Sequence, residues 1–564
     1  MKKLINDPFD VVDELLDGFT QAHADLVRLA APHVVARHAP VVGKVGLVVG
    51  GGSGHEPAFA GYVGPGLADA AALGNVFPAP SPDICLDAIR AASTGAGVVL
   101  AYGNYAGDVL NFNAARDQLI AAGVPTRSVV VTDDLASAPP EDRPLRRGTA
   151  GDLIVVKVAA AAAGAGYDLD GVAAVADRVN RRTSSLSVAF SGCTPPGSAA
   201  PLFTLAPGQM AVGLGLHGEP GISEGPLLSA ADLAELLVSR VLVERPESAT
   251  QAAVLVNGLG ATRYEELFLL WHEVAPRLEA AGVEVVDPEV GELVTSLDMA
   301  GVSLTIGWLD DETCALWCAP ANSPAYRKIA MEPVPAARPI QPPVARAIPA
   351  ASEASRLIAK SIVAAMESTA ESLAEHEAEL NQLDAVAGNG DHGRVMLRGA
   401  RAAAAAAQRA VADDAGAATT LLLAADAWSD RAGGTSGALW GAGLRAGARV
   451  MSDETISPDT ATIALRAALD AVTAYGNARL GDKTLVDAFL PFVDSFDDDM
   501  QAGLPLGAAW VNAADAAARS ADATASLTPR LGRARPLAAR SLGHADPGAV
   551  SFAIAMAAVS EHFA

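Results

Sequence analysis

The sequence predicts a multidomain protein in which an α/β domain of two lobes is followed by an all-α domain, either a bundle or a helical barrel. Residues 332–350 contain six prolines, so they cannot continue a helix and favour an extended spacer. Before this segment, short apolar runs that end in glycine alternate with helical patterns. After it, strand signals almost vanish. We therefore expect domains at 1–331 and 351–564, joined by a linker at 332–350.

The first lobe is predicted from apolar runs that are long enough to be buried strands and are separated by helical stretches. These runs lie at residues 44–49, 97–101, 128–132 and 153–157, with a helical pattern at 83–92. Alternation of this kind favours α/β layers with largely parallel strands. Similar runs at 253–256, 283–286 and 303–307 predict a second α/β lobe.

The segment after the spacer reads as helices joined by short loops. Helical spacing is clearest at residues 351–381, 399–413, 417–430 and 460–475. Although these stretches are rich in alanine, Leu, Ile and Val recur among the alanines at helical intervals. This pattern favours closely packed helices over a low-complexity segment.

Composition excludes several classes of protein. A net charge of −25 argues against nucleic-acid binding, which needs clustered Lys and Arg. No stretch reaches the roughly 18 uninterrupted apolar residues of a membrane span. The N-terminus has acidic residues where a signal peptide needs an apolar run. The sequence thus predicts a cytoplasmic protein without a membrane span.

Two glycine-containing loops follow predicted strands directly. The first is GGGSGHEP at residues 50–57, and the second is GNYAGD at 103–108. Ligands gather at the carboxyl ends of parallel strands, so both loops should share one sheet edge and offer His55 and Asp108 as an acid/base pair. The alternative is a tight turn with an incidental histidine and a loop carboxylate that is merely solvated.

A third loop places His217 among glycines, in GLGLHGEPG at 213–221. A lone histidine is usually structural. The glycines around this one have no side chains that could cover it, which favours an exposed and reactive imidazole. Beyond the spacer, Asp384, Asn389 and Asp391 lie on a glycine-rich turn. Their oxygens could converge on a hard cation such as Mg²⁺, and the alternative is a solvated acidic loop.

In this order, GGGSGHEP, GNYAGD and GLHGEPG resemble the substrate domain of the dihydroxyacetone kinase family, and the resemblance continues through RRGTAGDLIVVK at 146–157. It covers most of residues 1–330 and identifies 1–331 as a ketose-binding domain of the K type. The resemblance implies that His217 forms a covalent hemiaminal with the ketone carbon of the substrate. It also implies that Asp108 is the base, that His55 is its hydrogen-bonding partner, and that Gly52 and Ser53 form a backbone cradle.

The second part of the chain resembles the nucleotide domain of the same family at 383–393, 433–437, 481–484, 532–533 and 546–548. This resemblance implies that 351–564 is an ATP-binding, eight-helix barrel of the L type. It implies Mg²⁺ at Asp384, Asn389 and Asp391. The implied contacts with phosphates and adenine are His392, Gly393, Arg394, Val395, Thr435, Ser436, Gly476, Leu485, Arg533, Asp546, Pro547 and Gly548.

The function implied is an ATP-dependent kinase that phosphorylates a terminal hydroxyl of a short ketose. Two positions depart from the family pattern. Asn389 stands where a third aspartate is usual, which removes one negative charge from the metal site. Gly103 stands where a lysine is common, which enlarges the pocket and removes a cation. The second departure slightly favours erythrulose over dihydroxyacetone.

The resemblance also allows other functions for the same domains. Split forms receive phosphate from a phosphocarrier protein, but fusion through one linker without such a domain favours free ATP. A catalytically silent sensor of sugar or nucleotide is the alternative outside enzymes, and the joint presence of His55, Asp108 and His217 disfavours it. Cyclisation of FAD is neither supported nor excluded. The resemblance also favours a homodimer, with one chain's helical domain serving the partner's ketose site.

Overall fold

The computed structural model describes residues 3–329, 347–455, 457, 459–532, 534–560 and 562. The chain divides into two compact units, Met1–Arg338 and Pro339–Ala564. Most of the predicted linker, residues 332–346, lies outside the described residues. No helix in the described part of the chain is long and apolar enough to cross a membrane.

The first unit begins with a six-stranded sheet of order β1-β2-β4-β3-β5-β6. Its strands are β1 Val27–Ala31, β2 Val34–Arg37, β3 Gly46–Ser53, β4 Ala70–Val76, β5 Val98–Gly103 and β6 Thr126–Val131. Strands β4, β3, β5 and β6 run parallel, whereas β1 and β2 are antiparallel additions at one edge. Consequently, the carboxyl ends of β3 and β5 lie side by side.

A second sheet of seven strands follows, and it is mostly antiparallel. Its strands are β7 Thr183–Ala189, β8 Gln209–Val212, β9 Ser223–Pro226, β10 Gln251–Gly258, β11 Glu284–Val285, β12 Glu289–Gly291 and β13 Gly301–Leu309. Only β11 and β12 run parallel to their neighbour β10. A short pair, β14 Ala321–Asn322 and β15 Arg327–Lys328, ends the unit. The first lobe is therefore largely parallel, as predicted. The predicted second α/β lobe is also present and contains the parallel unit β10–α7–β11, in which α7 spans Tyr264–Ala280, although most of its strands are antiparallel.

Eight α-helices of the first unit lie within the described residues. They are α1 Val11–Ala22, α2 Pro82–Ala92, α3 Ala106–Ala121, α4 Gly151–Gly164, α5 Leu169–Asn180, α6 Ala230–Val241, α7 Tyr264–Ala280 and α8 Asp311–Cys318. The predicted strand at 153–157 is wrong, because these residues belong to α4. Almost every residue of α4 is buried, so its apolar run has no polar face to reveal a helical period.

The described part of the second unit contains helices and no strand. The helices are α9 Glu353–Glu375, α10 Glu377–Ala385, α11 His392–Ala412, α12 Ala417–Ala432, α13 Gly434–Val450, α14 Thr460–Gly476, α15 Val486–Gln501, α16 Leu506–Ala523, α17 Ala538–Ser541 and α18 Pro547–Ser560. Among them α9, α11, α12, α13, α14, α15, α16 and α18 pack in sequence, and α18 returns to α9. This closed ring confirms the prediction of an all-α helical barrel.

Candidate functional site

The ends of two neighbouring parallel strands position His55 and Asp108, as the sequence predicted. His55 follows β3 within two residues, and Asp108 lies in the first turn of α3, directly after β5. Both side chains are buried, with exposed fractions of 4% and 8%. Burial at the sheet edge thus removes both side chains from water. Their ionisation equilibria change as a result.

His217 reaches the same place from the second sheet, on the loop between β8 and β9. Its Nε2 lies 3.1 Å from Nε2 of His55, although the two residues are 162 positions apart in the chain. The rings meet edge to face, with centroids 5.0 Å apart. The site therefore lies where the loops of the two sheets of the first unit meet.

The hydrogen-bond partners of the His55 and His217 rings determine which ring nitrogens carry a hydrogen. Nδ1 of His55 is 2.8 Å from the carbonyl oxygen of Thr295, and Nδ1 of His217 is 2.9 Å from the carboxylate of Glu219. Because both partners accept, both Nδ1 atoms carry a hydrogen. A hydrogen bond between the two Nε2 atoms then needs a third hydrogen on the pair. With all three bonds made, the pair carries one positive charge, which Glu219 balances.

Burial shifts the pKa values of these groups strongly. It lowers the pKa of His55 to about 4, and the charge of His217 acts in the same direction. It raises the pKa of the Asp108 carboxyl to about 7, against the opposing charge of His217. Oδ1 of Asp108 is buried without a hydrogen-bond partner among the described residues. A carboxylate in this state is suited to accept a proton from a bound hydroxyl.

Aromatic rings enclose the imidazole of His217. The ring centroids of Phe77 and Tyr105 each lie 4.9 Å from that of His217, and Phe77 also stacks on His55. The Tyr105 hydroxyl donates to the carbonyl oxygen of Gly148, which fixes the ring. These rings form an apolar wall around His217, whose side chain is 23% exposed.

The proposed cradle residues are tightly packed. A Cβ on Gly52 would overlap the backbone of Phe77, so only glycine fits there. The Ser53 hydroxyl is already used, because it donates to the carbonyl oxygen of Gly74 over 2.7 Å. A Cβ on Gly103 would lie 3.2 Å from the ring of Tyr105. Because that ring packs against His217, only the Tyr105 side chain separates Gly103 from His217.

Sequence reasoning missed several residues of this site. Phe77, Thr295 and Glu219 were not singled out, although Glu219 stands two residues after His217 in the same glycine-rich loop. An acidic residue that close to a candidate nucleophilic histidine was a usable signal. Thr295 contributes a backbone carbonyl, which any residue carries, so the sequence offers no signal for it.

The second unit contains a separate cavity of about 270 Å³. Four helices begin at its wall, namely α11 at His392, α13 next to Thr435, α15 at Val486 and α18 at Pro547. The N-terminus of a helix carries unpaired N–H groups and partial positive charge, which favours phosphate. Several such ends at one cavity suit a polyphosphate, and Leu439, Trp440 and Val472 supply an apolar wall.

Most of the predicted nucleotide contacts line this cavity. Those that do are His392, Thr435, Ser436, Gly476, Leu485, Asp546, Pro547 and Gly548. Gly393, Arg394 and Val395 are not part of its lining: Gly393 is buried against the backbone of Glu377, and Arg394 is exposed. Arg533 lies outside the described residues.

Polar groups of the cavity are fixed by the helices that carry them. Asp546 accepts from the backbone N–H of Ala549 and so caps α18, and burial raises the pKa of its carboxyl to about 7. Nε2 of His392 lies 2.9 Å from the Ser551 hydroxyl. Lys483, which the sequence did not single out, donates to the carbonyl oxygen of Ser541 and lines the same cavity.

The predicted metal residues lie beside the cavity, Asp384 in the last turn of α10 and the other two in the loop that follows it. Oδ2 of Asp384 accepts from the backbone N–H groups of Gly390 and Asp391, over 2.8 and 3.1 Å. Nδ2 of Asn389 donates to Oδ2 of Asp391 over 2.7 Å. Only Asp384 of the three lines the cavity itself. Two carboxylates and an amide oxygen are hard ligands, so this donor set fits Mg²⁺.

Within the described residues no group of three or more His, Cys, Asp or Glu side chains is placed to hold a metal. The predicted set contains only two carboxylates, because Asn389 takes the middle position.

Comparison with known proteins identifies both units. The Dak1 domain matches residues 17–325, and the DAK2 domain matches residues 386–561. An L-erythrulose kinase of Pectobacterium atrosepticum is 49% identical, over 99% of this chain and 96% of that protein. A D-erythrulose kinase of Mycolicibacterium smegmatis is 47% identical, over 100% of this chain and 98% of that protein.

A solved structure extends the match to three dimensions. The dihydroxyacetone kinase from C. freundii, in complex with AMP-PNP and Mg²⁺, is 29% identical with a TM-score of 0.60. The alignment covers 100% of this chain and 99% of that one. The fold thus belongs to a class of two-unit proteins that join an α/β unit to a helical barrel. Within that class, the chain belongs to the dihydroxyacetone kinase family.

Proposed function

We propose that the protein is an ATP-dependent kinase that phosphorylates a terminal hydroxyl of a short ketose, with erythrulose favoured over dihydroxyacetone. The observation that carries the proposal is full-length identity of 47–49% to two erythrulose kinases. Ketose kinase activity follows from family membership. ATP and Mg²⁺ are its cofactors, in agreement with the AMP-PNP and Mg²⁺ complex of the C. freundii enzyme. Because ATP is the donor, we also place the protein in the cytoplasm.

We propose that His217 captures the ketone covalently. Its Nε2 bonds the carbonyl carbon, and the electron pair of the C=O bond moves to the oxygen. That oxygen takes the hydrogen that lay between the Nε2 atoms of His217 and His55. The charge of the site is unchanged by this step. Covalent capture suits a ketose that is too small to be held by contacts alone, and it rejects polyols that lack a carbonyl.

Asp108 then acts as the general base at the terminal hydroxyl. Its buried carboxyl, with a pKa of about 7, accepts the hydroxyl proton as the oxygen attacks the terminal phosphorus of ATP. The bond from that phosphorus to the leaving oxygen breaks, which gives the ketose phosphate and ADP.

In the second unit, the helix N-termini at Thr435 and Pro547 bind the phosphates, and Asp384, Asn389 and Asp391 are the residues that would hold Mg²⁺. The metal would neutralise the negative charge of the phosphates. Gly393, Arg394, Val395 and Arg533 remain part of the proposed nucleotide site.

A coupled assay of ADP release tests this function. Dihydroxyacetone, both enantiomers of erythrulose, glyceraldehyde and glycerol are compared at equal concentrations. We expect kcat/KM for one erythrulose enantiomer to equal or exceed that for dihydroxyacetone, and no turnover of glycerol. His217→Ala should abolish ketose turnover and leave ATP binding intact. Absence of ADP release with every one of these compounds would contradict the kinase proposal and favour the silent sensor.

The preference for a tetrulose is attributed to Gly103. This glycine lies against Tyr105, whose ring packs on His217, so a longer side chain here reaches the substrate. Gly103→Lys should shift the kcat/KM ratio from erythrulose toward dihydroxyacetone. Gly225→Ala, at a glycine with open space around it, is the matched control. An unchanged ratio in Gly103→Lys would show that specificity resides elsewhere.

We further propose that the protein is a homodimer in which the nucleotide cavity of one chain serves the ketose site of its partner. The support is the family resemblance, which favours such a homodimer.

A further inference from the structure

Glu219 contacts His217 at two points. Its Oε1 lies 2.9 Å from Nδ1 of the imidazole, and its Oε2 accepts from the backbone N–H of His217 over 2.9 Å. Burial would raise the pKa of Glu219, but its hydrogen bond to His217 and the charge of that ring hold it at about 2. The carboxylate is therefore ionised and held at two points, the Nδ1 atom and the backbone N–H of His217.

Arg147 fixes Glu219 from the other side. Its Nη1 lies 3.8 Å from Oε2 of Glu219, and its Nη2 lies 2.7 Å from Oδ2 of Asp134. Asp134 is 2% exposed, so the guanidinium is held by a buried carboxylate. The result is a chain of contacts from His217 through Glu219 and Arg147 to Asp134.

Gly215 makes room for this chain. A Cβ at this position would overlap the carboxylate of Glu219 and the guanidinium of Arg147. Both groups are ends of flexible side chains, so an alanine here would displace them and leave the charges present. The ion pair thereby explains the glycine at position 215 of this loop.

We propose that Glu219, held by Arg147, is a positioning residue that keeps the hydrogen of His217 on Nδ1 and leaves Nε2 as the atom that bonds the ketone. This inference rests on the proposed covalent capture. An imidazole that keeps its Nδ1 hydrogen and gains an Nε2–carbon bond is a cation. Glu219 therefore also stabilises the adduct, since its negative charge faces the ring that becomes permanently positive.

The hydrogen balance of capture agrees with this assignment. The hydrogen shared by the two Nε2 atoms passes to the ketone oxygen, and the Nδ1 hydrogen stays between His217 and Glu219. The Glu219 carboxylate, with a pKa of about 2, is too weak a base to remove the Nδ1 hydrogen. Without Glu219, the hydrogen of a neutral His217 is free to occupy Nε2, where it blocks the nucleophile.

The first test reads the position of the hydrogen without any substrate. In protein with ¹⁵N-labelled histidine, the two ring nitrogens of His217 are distinguished by their chemical shifts and assigned by their loss in His217→Asn. We expect Nδ1 to be protonated in the wild type. Glu219→Ala and Gly215→Ala should both lower the protonation of Nδ1, whereas Nε2 already shares a hydrogen with His55 in the wild type. Glu224→Gln, on β9, and Gly225→Ala are the matched controls and should leave the signals unchanged.

The second test measures the adduct itself with a ketose labelled with ¹³C at the carbonyl. Loss of a hydrogen bond to a charged group should reduce the adduct formation constant about 10- to 100-fold in Glu219→Ala. Glu219→Gln, which retains an acceptor without the charge, should fall between the wild type and Glu219→Ala. The loss should appear in kcat/KM for the ketose, with KM for ATP unchanged, and thermal unfolding identifies any variant that is merely misfolded.

The outcomes separate the two proposals. If the wild type forms the adduct and Glu219→Ala retains both the Nδ1 hydrogen and the adduct constant, the role assigned to Glu219 is wrong. If the wild type phosphorylates ketoses without forming an adduct, covalent capture is wrong. In that case the ¹⁵N signals still decide whether Glu219 fixes the hydrogen of His217.

Discussion

Burial shifts the pKa values of two titratable groups at one sheet edge in opposite directions. Burial disfavours the charged form of each, so the pKa of His55 falls to about 4 and that of Asp108 rises to about 7. The sequence predicted both residues, because each belongs to a glycine-containing loop after a strand. It could not predict the shifts, since these depend on side chains such as Phe77 that close over the site from other parts of the chain.

With Asp108 as the proposed base, its raised pKa should set the pH dependence of turnover. Only the ionised carboxylate accepts a proton, so kcat/KM for the ketose should be fully developed above about pH 7 and should fall as the pH drops below it. Asp108→Asn should lower kcat about 10²- to 10⁴-fold and remove this pH limb. A pH–rate series on both proteins measures this.

Asp117→Asn is the control for that series, because Asp117 is exposed on the same helix, α3. Near-normal turnover in Asp108→Asn would assign the base elsewhere. A pH limb that persists in Asp108→Asn would show that another group titrates.

At the scale of elements, the sequence predicted a strand or a helix correctly where one hydrophobic period is clear. Parallel strands β3 and β5 bring His55 and Asp108 to one edge, as expected. Helix α4 was mistaken for a strand because it is buried on every side. The meeting of His217 with His55 could not be predicted, since it depends on how a loop of the second sheet packs against the first.

The loop between α10 and α11 joins the proposed metal residues to the start of a helix at the cavity wall. We expect Asp391→Ala to abolish turnover and to raise the Mg²⁺ concentration needed for nucleotide binding. Asn389→Asp should lower that concentration, because it restores a third carboxylate. Nucleotide binding titrated against Mg²⁺ measures both effects.

Asp413→Asn, at the exposed far end of α11, is the control for the metal loop. It carries the same change of charge on the same helix without reaching the cavity. Unchanged Mg²⁺ dependence in both loop variants would contradict the assignment of this loop to the metal.

At the scale of the whole molecule, the two chemical tasks are divided between two units. The residues proposed to act on the ketose belong to the first unit, and the cavity lined by helix N-termini belongs to the second. Six prolines in 19 residues (332–350) exclude a continuing helix, which is why the sequence predicts a separate domain on each side of this segment. Which chain's cavity serves which ketose site is not encoded in any local pattern.

Complementation between two inactive variants tests the proposed exchange between chains. His217→Ala destroys a ketose site and leaves the nucleotide cavity of that chain intact, whereas Asp391→Ala does the reverse. In a heterodimer with exchanged domains, one of the two sites combines both intact halves and the other combines both damaged halves. Heterodimers isolated with two different tags should therefore recover about half of wild-type turnover, as expected for a two-fold assembly with independent sites. Each homodimer stays inactive in the same assay. No recovery in the isolated heterodimer would show that both halves of each site come from one chain.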